Sequence, residues 1–177
     1  MAQVADTVAV YVEIGSKRVV AGALEWPGWC RVARDEAAAL EALVAYGPRY
    51  ARALGAAGVA FVAPADIAAL AVSERLAGSG TTDFGAPGAA PAADARPMDA
   101  AALQRAVQIL KACWQAFDAA VAAAAGRDLR KGPRGGGRDL DKIVEHVLDA
   151  ERSYVGQLGW RWEQPPAEDL AERAQQV

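Results

Sequence analysis

The sequence predicts an α+β protein: a small antiparallel sheet with one helix, followed by a helical hairpin resembling part of a four-helix bundle. Three observations carry this. Val8, Val10, Val12 and Ile14 alternate with other residues, the period of a half-buried strand. From Leu103 the apolar residues step by 4, 3, 4, 3 and 4 through Val107, Leu110, Trp114 and Phe117 to Val121, a helical seam of nearly three heptads. Between Asp139 and Gly159, Leu140, Ile143, Val144, Val147, Leu148, Tyr154, Val155 and Leu158 share one face that spans about 140° of the helical wheel.

Taken in order, residues 3–14 read as a first strand and Gly15-Ser16-Lys17 as a turn. Arg18 to Leu24 is a second strand, ended by Pro27-Gly28, and Trp29 to Ala33 a third. Asp35 is placed as a helix N-cap, with Glu36 and Glu41 behind it and Leu40, Leu43 and Val44 on one face. Gly47-Pro48 is expected to interrupt this helix, with Pro48 opening another through Leu54. Val59 to Val62 reads as a further strand, and a short one is expected near Ala69 to Arg75. Residues 77–98 hold four glycines and three prolines and read as a long loop or linker. Within it, Thr81 to Gly85 spells the letters of the kinase magnesium motif. The chain is too short for a kinase and lacks its other signatures, so Phe84 is expected to pin the loop onto a domain. The expected organisation is an α+β unit at 1–76, the loop at 77–98 and a helical region at 99–177.

Composition narrows the function classes. The net charge of −3 supplies no global basic field, so nucleic acid is not an expected partner. No segment approaches the roughly 20 apolar residues of a membrane span. Asp6, Glu13, Lys17 and Arg18 interrupt any leader-like run, and the expected location is the cytoplasm. Two cysteines, Cys30 and Cys113, are too few for a disulfide scaffold and are read as free thiols. The Ala, Gly and Arg bias resembles that of a GC-rich bacterial genome.

Two constellations bear on chemistry. Arg127, Arg130, Lys131, Arg134 and Arg138 crowd a glycine-rich loop that feeds a helix N-terminus, an arrangement suited to a phosphate or carboxylate. It is not a phosphate-binding loop of the Walker type, because a helix precedes it and Arg-Asp follows. The second constellation is Glu151, which projects into the apolar face of the last helix, with the chain's one histidine, His146, near the edge of that face. A carboxylate there needs an arginine, a metal or a ligand as partner. With a single histidine, a His-rich zinc site within one chain is excluded. Trp26, Pro27, Gly28 and Trp29 form either a ligand lid or a core edge. No serine sits in a nucleophile motif.

Residues 8–55, with the segment RVVAGALEWPGWCRVARDEAAALEALVAY, resemble the HicB-like antitoxin domain: a strand ending in a Pro-Gly-Cys turn, another strand, then an Ala/Leu/Glu helix. Here Trp29 is inserted between Gly28 and Cys30. The resemblance implies a unit related to part of the ribonuclease H fold that binds a toxin or another partner. Residues 99–159, through HVLDAE at His146 to Glu151 followed by Tyr154 and Leu158, resemble the DinB-like helical family. That resemblance implies a four-helix bundle, a divalent metal held by histidines, with His146 as the first, and thiol-dependent transferase chemistry. The family's later histidine pair has no counterpart before Val177.

The expected function is that of a non-catalytic binding protein for a small anionic molecule or a partner protein. Arg130, Lys131, Arg134, Arg138 and Glu151 would line its site. The alternatives are a DinB-like metal-dependent transferase with His146 at the metal, and a HicB-like antitoxin or regulator. A homodimer that closes a four-helix bundle is the expected assembly.

Overall fold

The computed structural model describes residues 7–130 and 139–160. The chain divides into two compact units, Met1–Ala116 and Phe117–Val177. Among the described residues no helix is long and apolar enough to cross a membrane.

The first unit is built on a four-stranded sheet of order β3-β2-β1-β4: β1 is Val8–Ile14, β2 Val19–Ala23, β3 Cys30–Ala33 and β4 Leu70–Ala77. β2 runs antiparallel to β1 and β3. β4 lies parallel to β1 (Val8 opposite Leu70, Ile14 opposite Ala77), with a bulge between Val10 and Tyr11. The expected antiparallel sheet is therefore mixed. The physical reason is the crossover: α1, Glu36–Gly55, separates β3 from β4, and a helical crossover delivers a strand in parallel. The turn joining β2 to β3 follows from its residues. Trp29 N–H donates to Trp26 C=O at 3.1 Å, Pro27 presets the second turn position, and Gly28 takes the third with φ of +84°.

α1 covers one face of the sheet. Asp35 caps it as expected, its carboxylate accepting from Ala38 N–H at 2.9 Å. Asp35→Ala is expected to lower stability by about 1 kcal/mol in a thermal melt followed by circular dichroism. The helix does not break at Gly47-Pro48 but runs through Pro48 to Gly55. Leu43, Gly47, Tyr50 and Leu54 are all buried, and their spacing continues one stripe across the proline. Burying Tyr50 and Leu54 offsets the roughly 3 kcal/mol that an interior proline costs. Glycine at position 47 suits the close packing, since a methyl there would meet Ala63 at 2.9 Å.

The core joins Val10 and Val12 of β1 to Val19, Ala21 and Ala23 of β2 and to Ala39, Leu43, Tyr50 and Leu54 of α1. Trp29 lies at its centre, fully buried, with its indole N–H donating to Leu43 C=O at 3.0 Å. Residues 59–62 form no strand. Phe61 instead stands edge-on to Trp26, Trp29 and Tyr50, with ring centroids 4.7, 4.8 and 5.0 Å away. Of the two readings of the Trp26–Trp29 segment, the structure places Trp29 in the core.

The segment expected as loop or linker carries α2, Gly80–Phe84, and a short 3-10 turn at Ala92–Ala95. Phe84 does not pin it, being 87% exposed. Asp83 does: it accepts from the Ser16 hydroxyl, from Lys17 N–H at 2.7 Å and from Arg18 N–H at 3.2 Å, joining α2 to the β1–β2 turn. The Ser16 hydroxyl and then the Lys17 amide hold its carboxyl below the usual carboxylate range.

Two further helices follow, α3 (Ala100–Ala124) and α4 (Leu140–Gln157). The buried residues of α3 are Ile109 and Ala112. Arg105, on the same side, stacks its guanidinium over Trp26 at 4.0 Å. Leu103, Val107 and Leu110 of the seam are exposed.

Candidate functional site

Alternation along β1 sends Val10 and Val12 into the core and Tyr11 and Glu13 to the opposite face of the sheet. Across that face Tyr11 stands in register with Gly22, Gly22 with Cys30, and Tyr11 on its other side with Glu74 of β4. Gly22 makes room for the tyrosine. A methyl group on it would lie 2.5 Å from the Tyr11 ring, so the ring crosses β2 where any larger residue would displace it.

Two strand carboxylates hold a roof over this face. Glu13 is completely buried and accepts from the Thr82 hydroxyl, from Gly88 N–H at 3.1 and 3.0 Å, and from Ala89 N–H at 3.0 Å. Glu74 accepts from Ala92 N–H at 2.9 Å. These bonds satisfy amides that no helix or strand ladder uses, which is why a glycine- and proline-rich segment lies down on the sheet.

Between roof and sheet is a pocket of about 350 Å³. Its floor is Tyr11, Gly22 and Cys30, its walls include Pro27, Pro87 and Pro91, and Asp94 is its one charged lining residue. Burial, then the acidic neighbours Cys30, Glu13 and Asp94, push the Tyr11 hydroxyl up to about 12. Burial also raises the Cys30 thiol, against a smaller opposing pull from Arg31. Both groups therefore keep their protons at neutral pH. They offer hydrogen bonds rather than a thiolate or phenolate nucleophile.

No family model, curated protein or solved structure matches this chain.

The residues expected to form the site all belong to the second unit, Phe117–Val177. Arg130 is exposed, while Lys131, Arg134 and Arg138 fall outside the described residues. Glu151 is half-buried on α4 and His146 is exposed. Arg152, beside Glu151, pairs with Asp149 at 3.0 Å. Among the described residues no group of three or more His, Cys, Asp and Glu side chains is placed to hold a metal ion. Both cysteines are free and half-buried. Sequence reasoning missed Tyr11, Glu13, Cys30 and Asp94. The available signal was Glu13, an acid set between Val12 and Ile14 in an otherwise apolar strand.

Proposed function

We propose that this chain is a binding protein whose first unit holds a small molecule between the sheet and the roof segment 85–95. The observation that carries the reading is the roofed pocket of about 350 Å³. That volume falls within the roughly 300–1,000 Å³ typical of ligand sites, and the mix of apolar walls with a few convergent polar groups is what such sites use. The protonated Tyr11 and Cys30 supply hydrogen-bonding groups to a ligand rather than a nucleophile.

A fragment screen read by amide NMR tests it. Fragments are expected to shift the amides of Gly22, Ala23, Gly28, Cys30 and Ala89. Cys30→Trp, which fills the floor, is expected to abolish those shifts, and Cys30→Ser to keep them. Fragments that bind Cys30→Trp and the unmodified chain alike would remove the pocket from the account.

A second reading, a HicB-like partner-binding unit, has one supporting observation: β2, the Pro27-Gly28 turn, β3 and α1 follow one another in the order on which that resemblance rests. It predicts a stoichiometric small protein partner, encoded beside this chain, when the tagged protein is purified from its native host.

A further inference from the structure

The sign of the charge around the pocket narrows its ligand. Asp94 is the one ionisable carboxylate among the lining residues, and the lining contains no lysine, arginine or histidine. Two cations are near in the chain: Arg31, beside Cys30, is turned to α1 with its guanidinium 3.1 Å from the centre of the Tyr46 ring, and Arg96, two residues past Asp94, donates its Nε–H to Ala93 C=O at 3.3 Å. Beneath the roof lie two more carboxylates, Glu13 and Glu74, each already accepting backbone N–H bonds. An anion in this pocket would face Asp94 with no lining cation to compensate it. A neutral donor would gain one hydrogen bond from Asp94 but no attraction between full charges. A cation gains the carboxylate directly, the Tyr11 hydroxyl oxygen as an acceptor, and the Tyr11 ring as a π surface.

Resting on the pocket reading above, we propose that the ligand is a small organic cation. An ammonium group would sit at Asp94 and Tyr11, and a compact apolar body would lie against Pro27, Pro87 and Pro91. This is opposite in sign to the anion expected from the basic loop, and it concerns a different part of the chain.

The test is an amide-NMR titration of the full chain with three probes of similar size: benzylammonium, benzyl alcohol and benzoate. The cation is expected to shift the Tyr11, Gly22 and Cys30 amides and to bind about fivefold more tightly than the alcohol. Benzoate is expected not to bind. Asp94→Asn should bring the cation down to the alcohol's affinity and change the alcohol's own affinity by only about twofold, the latter showing that the variant is folded and its pocket intact. Equal affinities for cation and alcohol, or tighter binding of benzoate, would overturn the ammonium assignment while the pocket itself stands. A cation preference that persists in Asp94→Asn would overturn the role of Asp94. If none of the three probes shifts these amides, the cation class is overturned. The charge-blind fragment screen then decides separately whether the pocket binds anything.

Discussion

Glu13→Ala is expected to lose about 3 kcal/mol of stability or more, because it leaves the Thr82 hydroxyl and the Gly88 and Ala89 amides without their shared acceptor. Thr82 is itself fully buried, so water cannot readily take the place of the carboxylate. Glu13→Gln tests the same point more finely. It keeps the volume but replaces one accepting oxygen with an N–H₂ group that faces other donors, and a loss of about 1–2 kcal/mol is expected. Denaturant midpoints measure both losses. Hydrogen exchange locates them: the Gly88 and Ala89 amides should exchange faster in both variants, while amides of α1 change only as far as global stability does. Protection at Gly88 and Ala89 that survives Glu13→Ala would show that something else holds the roof.

Much of the first unit was legible in the sequence because its signals are local. The β1–β2 hairpin, the Pro27-Gly28 turn and the Asp35 cap each depend on a few neighbouring residues. What was not legible depends on distant partners. The parallel pairing of β4 with β1 joins segments about 60 residues apart, and no local pattern encodes it. Pro48 reads as a break until the stripe from Leu43 to Leu54 is seen to be buried as one surface. The roof is the clearest case. A glycine- and proline-rich stretch has the composition of a linker, and only the acceptors of Glu13 and Glu74 turn it into a wall. The α3 seam teaches the converse. Its spacing is regular, yet Leu103, Val107 and Leu110 are exposed while Ile109 and Ala112 are buried. Periodicity identifies an apolar stripe but not which stripe meets the core.

Trp29, which sequence spacing placed at a core edge or in a lid, is a core residue that borders the pocket from beneath. One side of the indole stacks on Tyr50 at 6.1 Å and meets Phe61 edge-on, and its N–H is bonded to Leu43 C=O. No part of the residue is exposed, so it meets the pocket only from beneath its surface. Trp29→Ala removes the largest fully buried side chain and is expected to cost about 3–5 kcal/mol, with a residual cavity beneath α1. Trp29→Phe retains a ring but loses volume and the indole bond to the Leu43 carbonyl, which keeps its helical partner, so a smaller loss of about 2 kcal/mol is expected. The two variants separate core from pocket. If Trp29 mainly supports the core, Trp29→Phe should melt earlier yet still show fragment-induced shifts at Gly22 and Cys30. If it mainly forms the wall, those shifts should weaken with little change in the denaturation midpoint. The complete burial of the indole and its bond to α1 favour the first outcome.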